Sequence, residues 1–295
     1  MHKFCISLPG PCNFQHLLTR VSQSSHGAFY RVRDGRLGRP LWLLGQPYFV
    51  EVVATSDELL WEVQIHDGHA ALEDAATASL RHLFALDVDL SAFQEHARHD
   101  PVLLELVEQL RGARMIRDAD LFVSVVSSII SQQMNLAFAA TLKRRLWSLS
   151  GQPLQVDGEV FYADPSPEAI ARLDYAELRA MQFSQRKAEY VIDFARGVAD
   201  GSFSLQRLAE QDDASAIAYL SSLRGLGQWT AECVLLFGLG RSDLLPAKDV
   251  GLQRAVARFY QLSERPNEQQ LRQLGEAWHP WSSWYTYYLW LGLTL

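Results

Sequence analysis

Leu223-Arg224-Gly225-Leu226-Gly227-Gln228-Trp229-Thr230-Ala231 lies between two segments with helical spacing of apolar residues, Ala214 to Leu223 and Thr230 to Phe237. Two glycines one residue apart make a tight turn and leave backbone N–H groups uncovered, with Thr230 near the start of the second helix. Such a turn can set N–H groups and a helix N-terminus against a phosphate without any positive charge. The same fragment also reads as a plain corner between two helices with glycine caps. One helix further on comes Leu245-Pro246-Ala247-Lys248-Asp249-Val250-Gly251-Leu252-Gln253-Arg254. A proline followed by an acidic residue at a helix start is an N-cap signal, and in isolation it says no more.

Outward from this pair the helical period persists. Pro101 opens a helix with Val102, Leu103, Leu106, Val107 and Leu110 on one face. Asp118 to Met134 carries Leu121, Val125, Ile129 and Ile130 at the same spacing, and Leu136 to Leu149 continues with Leu142 and Leu146. Further helices are predicted over 168–173, 175–181, 186–198, 251–260, 268–278 and 281–293. The N-terminal third differs. Leu41-Trp42-Leu43-Leu44, Tyr48 to Val53 and Leu59 to Ile65 are short runs rich in β-formers, separated by turn residues, and Ala75 to Leu83 reads as a covering helix. The expectation is an α+β chain. An N-terminal antiparallel sheet domain with covering helices spans residues 1–100, and an all-helical domain carrying the hairpin spans 101–295. The 295-residue length, above the usual single-domain size, agrees with two domains.

Composition narrows the function. With 48% hydrophobic residues the chain can bury a large core, which argues against disorder. Three cysteines, Cys5, Cys12 and Cys233, lack CxxC spacing, so they supply no disulfide framework, structural zinc site or iron–sulfur ligand run. Met1 to Phe14 does not have the pattern of a secretory signal, and no apolar run reaches membrane-spanning length. The formal net charge of −7 argues at first against a nucleic-acid partner. The charge is unevenly spread, however. Residues 51–120 hold fifteen acids and five bases, a net −10 that leaves +3 on the remainder. The objection therefore applies to one stretch that ends before the motif-bearing part of the helical region, where Lys143-Arg144-Arg145 and Arg186-Lys187 lie.

The hairpin from Leu223 to Ala231, followed by Pro246-x-x-Asp249-x-Gly251-Leu252, resembles the helix-hairpin-helix DNA glycosylase superfamily. Three further segments resemble its 3-methyladenine DNA glycosylase II branch. These are Ile129-Ile130-Ser131-Gln132-Gln133-Met134-Asn135, a turn between helices; Gln182-Phe183-Ser184-Gln185-Arg186-Lys187-Ala188-Glu189-Tyr190, with Gln182 in place of a glycine; and Trp278-His279-Pro280-Trp281-Ser282-Ser283-Trp284 through Trp290. The resemblance covers roughly residues 100 to 293, in consistent order.

The resemblance implies a monofunctional DNA glycosylase acting in base excision repair. It would hydrolyse the N-glycosidic bond of flipped-out alkylated bases of the 3-methyladenine and 7-methylguanine type. Deaminated or oxidised bases, or a non-catalytic damage-binding module, are the alternatives. Asp249 falls at the position of the catalytic aspartate, where an ionised carboxylate suits the cationic sugar that develops as the base departs. Trp229 stands where bifunctional relatives carry a lysine nucleophile, so no Schiff base is expected. Trp229 and Trp290 are the implied walls of the base pocket, since an indole stacks well on a cationic ring. Gln132, Gln133, Gly225, Gly227, Thr230 and Lys187 are the implied DNA contacts, with Gln133 at the position wedged into the gap left by the extruded base. Relatives place pocket tyrosines at positions held here by Cys233 and Val250, and an arginine where Ser282 stands. The carbonyls of Ser221, Leu223 and Leu226 match a structural sodium or potassium site; otherwise no cofactor and no iron–sulfur cluster are expected. The implied partner is double-stranded DNA with a damaged base, bound by a monomer with no membrane association. The expected setting is the cytoplasm of a bacterial-type cell, at the nucleoid when bound.

Overall fold

A computed structural model describes residues 1–23 and 25–295. The chain opens with strand β1 (His2–Ser7) and helix α1 (Phe14–Gln23), then continues through β2 (Arg31–Arg33), β3 (Arg36–Leu43), β4 (Gln46–Ala54) and β5 (Leu60–Ile65). These five strands form one antiparallel sheet in the order β1-β5-β4-β3-β2. Helix α2 (Glu73–Leu83) and α1 cover one face of it. Trp61 is buried there between Phe14 and Phe84, with ring centroids 5.2 and 5.5 Å away.

The helical part comprises α3 (Ser91–Ala97), α4 (Pro101–Gln109), α5 (Leu121–Ser131), α6 (Leu136–Ser150), α7 (Pro167–Ala171), α8 (Tyr175–Ala180), α9 (Gln185–Ala199), α10 (Leu205–Glu210), α11 (Asp213–Ser221), α12 (Gln228–Val234), α13 (Val250–Phe259), α14 (Glu268–Gly275) and α15 (Ser282–Gly292). Side-chain caps start many of them: Asp100, Asp120, Asn135, Ser184, Asp212 and Asp249 each accept a backbone N–H of the first turn. No helix among the described residues is long and apolar enough to cross a membrane.

Two features depart from the sequence reading. The helical array is interrupted by a ribbon of β6 (Pro153–Val156) and β7 (Glu159–Tyr162), turned by Asp157 and Gly158 at φ 52° and 81°. Asp-Gly in this conformation matches the right-handed strand twist, which explains a hairpin inside otherwise helical sequence. The second concerns residues 85–97, which the sequence reading assigned to the sheet domain. Ala85, Leu90, Phe93 and Ala97 are buried in the helical core, where Phe93 packs against Trp284, Tyr285 and Tyr288 of α15.

The sheet docks on the helices through polar contacts rather than apolar surface alone. Arg39 of β3 meets Asp164, which follows β7, at 2.6 Å, and both are buried. The indole N–H of Trp147 donates to the same carboxylate at 2.9 Å, and that of Trp42 to the Asp164 carbonyl at 2.8 Å. Arg31 reaches Asp157 of the ribbon at 3.0 Å and Glu51 of its own sheet at 2.8 Å. The ribbon is thus the seat on which the sheet rests.

Candidate active site

Asp249 is the N-cap of α13. Its Oδ1 accepts the backbone N–H of Leu252 at 2.6 Å, which satisfies one of the orphan donors of the first helical turn. The same oxygen accepts the indole N–H of Trp290, from the end of α15, at 2.9 Å. Oδ2 accepts the indole N–H of Trp229, from the first turn of α12, at 3.2 Å. Three elements far apart in sequence therefore converge on one carboxylate. All three side chains are half-buried, so the group is sheltered but reachable. A carboxylate has about four lone-pair positions, and three are filled, which leaves the free capacity on Oδ2.

The surroundings hold this geometry. Phe237 stacks on Trp290, with centroids 6.0 Å apart and planes 14° from parallel. Glu232 of α12 is buried and accepts from Arg272 of α14 at 2.9 Å and from Gln228 at 3.0 Å. Arg272 also donates to the Leu245 carbonyl at 3.2 Å, and Gln253 to the Ala247 carbonyl at 2.8 Å, so the loop that delivers Asp249 is tied at two points just before it. Cys233 lies beside the carboxylate. Burial, with the Asp249 and Glu232 charges adding to it, pushes its thiol well above the ordinary cysteine value, so it is a neutral neighbour and no nucleophile. Lys248 pairs with Glu268 at 3.6 Å on the surface.

The hairpin between α11 and α12 turns at Gly225, whose φ is +90°. A Cβ there would sit 2.3 Å from the ring of Tyr190, so both conformation and space demand glycine. Gly227, exposed, precedes α12, where the N–H groups of Gln228, Trp229 and Thr230 precede the first intrahelical bond, from Ala231 to Gly227 at 3.0 Å. Facing the hairpin is the turn between α5 and α6. Gln132 donates from its side-chain amide to the Gly225 carbonyl at 2.9 Å and to the Thr230 hydroxyl at 3.1 Å. Gln133 is exposed at φ +55°, a left-handed conformation uncommon outside glycine.

The family model described as "HhH-GPD superfamily base excision DNA repair protein" matches residues 126–280, more than half of the chain. The chain belongs to the HhH-GPD superfamily. That span contains the hairpin, Trp229 and Asp249; Trp290 lies just beyond it. A putative DNA-3-methyladenine glycosylase of Bacillus subtilis is 41% identical over 188 residues, which are 64% of this chain and 64% of the relative. A second B. subtilis protein, a DNA-3-methyladenine glycosylase, is 33% identical over 207 residues, 70% of this chain and 68% of that one. Among solved structures, a 3-methyladenine DNA-glycosylase from Archaeoglobus fulgidus superposes with a TM-score of 0.86 at 26% identity, covering 98% of this chain and 97% of that one. This HhH-GPD chain thus shares the N-terminal sheet as well as the helical array with that structure.

The structure brings Asp249, Trp229 and Trp290 together, as the resemblance implies, and adds hydrogen bonds that no motif shows. It separates the implied DNA contacts into two groups. Gln133 and Gly227 are exposed and Gly225 is half-buried. Thr230 is buried, with its hydroxyl turned to Gln132, so its side chain is part of the packing and not of an exposed face. Gln132 likewise spends its amide on the hairpin. The Lys187 ammonium donates to the carbonyls of Ile129 at 3.0 Å, Ile130 at 2.5 Å and Gln132 at 2.8 Å instead of standing free. The carbonyls of Ser221, Leu223 and Leu226 lie at the end of α11 and along the hairpin; that of Leu223 accepts the Leu226 N–H at 3.1 Å. Cys5 is exposed, Cys12 half-buried and Cys233 buried. Phe237, Glu232 and Arg272 went unread in the sequence. Only the arrival of Phe237 at the Trp290 face gives it meaning.

Proposed function

We propose that this HhH-GPD protein is a monofunctional DNA glycosylase. It hydrolyses the N-glycosidic bond of alkylated bases, of the 3-methyladenine and 7-methylguanine type, in base excision repair. The observation that carries the reading is the Asp249 carboxylate held by two indole N–H groups and a helix N-terminus. The names of its relatives agree with it. A damaged base must leave the stack to be cleaved. As it departs, positive charge develops on the deoxyribose, and a preorganised anion is what lowers that barrier. Oδ2, with unfilled capacity, is the oxygen that faces the sugar cation or orients the attacking water. The chemistry draws on Asp249 and water, with no Schiff base between enzyme and sugar, because Trp229 offers no amine.

The partner is double-stranded DNA with a damaged base, gripped by hairpin N–H groups at its phosphates and entered by the exposed Gln133 turn. The protein acts as a monomer in the cytoplasm, at the nucleoid. The carbonyls of Ser221, Leu223 and Leu226 are neutral, hard oxygen donors of the kind sodium or potassium takes. The Leu223 oxygen keeps a second lone pair beside its backbone bond, and the Ser221 hydroxyl is buried without a hydrogen-bond partner. Such an ion would steady the hairpin and take no part in bond cleavage.

The test is mass spectrometry of bases released from methylated, deaminated and oxidised DNA. Release of methylated purines ahead of the other two classes is expected, and release of none of them would overturn the reading. Borohydride added during the reaction should trap no protein on DNA; a covalent adduct would refute the monofunctional assignment.

A further inference from the structure

Lys187 sits in the first turn of α9, and its three carbonyl partners are the ends of another helix. Ile129 and Ile130 belong to the last turn of α5, whose carbonyls have no partner within their own helix. Gln132 is the residue that leaves the helix. A cation is favoured at such a terminus, where the carbonyl dipoles add up. An ammonium has three N–H donors, and all three are engaged here. A phosphate bound directly to Lys187 would have to break one of them.

The residue after this cap is Gln133, held at φ +55° and exposed. The turn that presents it is fixed from two sides. Lys187 holds its main chain against α9, and the Gln132 amide holds it against Gly225 and Thr230 of the hairpin. We infer that Lys187 is a positioning residue, which locks the turn presenting Gln133 and, through Gln132, makes that turn and the phosphate-gripping hairpin one rigid body. The inference rests on the glycosylase reading of the Gln133 turn as the segment that enters DNA. Loss of a charged residue in this position acts on base extrusion and not on phosphate attraction.

The experiment uses the full chain with Lys187→Met, Lys187→Arg, Gln133→Ala and the Lys187→Met/Gln133→Ala pair. The probe is a duplex carrying an abasic-site analogue beside 2-aminopurine, whose fluorescence rises on unstacking. This readout needs no catalysis, so it reports on the linkage even if the wild type releases no base. For Lys187→Met we expect the extrusion signal to fall by about tenfold, and single-turnover base release with it. The slope of log affinity against log salt should stay unchanged. Gln133→Ala should add little to Lys187→Met, because both act through the same turn. Lys187→Arg should fail to restore the signal, since a planar guanidinium does not replace a compact ammonium among three carbonyls. A phosphate contact would give the opposite pattern: a salt slope smaller by about one, and rescue by Lys187→Arg. Either that pattern or an unchanged extrusion signal overturns the proposal. Should Lys187→Met fail to fold, Gln132→Leu reads the same linkage from the hairpin side: a fallen signal with an unchanged salt slope supports it, and an unchanged signal overturns it.

Discussion

The indole N–H of Trp290 and the backbone N–H of Leu252 share one oxygen of Asp249, at 2.9 and 2.6 Å. The residue that caps α13 is thereby also the one aimed by the last helix of the chain. The cap is made by Oδ1, whereas the proposed chemistry falls to Oδ2 of the same carboxylate, and substitution can separate the two roles.

Asp249→Asn should leave the fold intact and stop the chemistry. Asparagine caps helices as well as aspartate, so the unfolding free energy should change by less than about 1 kcal/mol. Without the anion, and with an amide N–H set against the Trp229 indole, base release should fall by about 10³ or more. Single-turnover release and a denaturant titration check the two halves, and affinity for abasic-site DNA should be preserved or improved. Retained excision would refute the catalytic assignment.

Trp290→Phe should part orientation from stacking. It removes a hydrogen bond to a charged acceptor, on the order of 1.5–3 kcal/mol, while keeping a ring face beside Phe237. The rate should drop by roughly tenfold or more, with the preference for cationic over neutral lesions kept. Trp290→Ala should lose cationic lesions first. Equal losses on both classes, measured in competition, would count against stacking.

Gly225 and Gly227 make a matched pair. Gly225→Ala puts a Cβ into the Tyr190 ring at φ +90°, and should cost about 1–3 kcal/mol of stability and weaken DNA binding. At Gly227 nothing lies within 4 Å of an added Cβ and φ is −100°. There alanine should leave the denaturation midpoint nearly unchanged and lower DNA affinity alone. Equal destabilisation by the two changes would contradict the geometry.

Asp164→Ala should loosen the sheet from the helices. It strands the buried Arg39 guanidinium and the Trp147 indole N–H. Removing one partner of a buried ion pair costs about 3–5 kcal/mol. Chemical denaturation should report this loss, and a change below about 1 kcal/mol would mean that the pair does not hold the seat.

What could be read from the amino acids alone follows from how local each signal is. Gly225, Gly227, Pro246 and Asp249 punctuate backbone, and punctuation is local, so the hairpin and the cap are legible in the string. The apolar runs of β3 to β5 declare themselves in the same way. β1 does not: in His2–Ser7 only Ile6 is buried, and the strand exists because β5 offers it an edge. The ribbon at 153–162 carried a legible Asp-Gly turn that the surrounding helical period obscured. Helix α3 was not read as an element at all, because what fixes it is Phe93, whose partners lie nearly two hundred residues away. Lys187 and Gln132 show the same limit at the site. Their charge and polarity suggest outward roles, and only the fold reveals carbonyls waiting for them.

The paired indoles have a last consequence. Each ring has a single N–H, and both point at Asp249, so neither ring can read the donor and acceptor edge of a base. What they have left is their π faces, which respond to electron deficiency wherever on a purine it arises. A glycosylase built this way would judge a base by how poor in electrons it has become. Methyl groups at different ring positions would then count as the same injury.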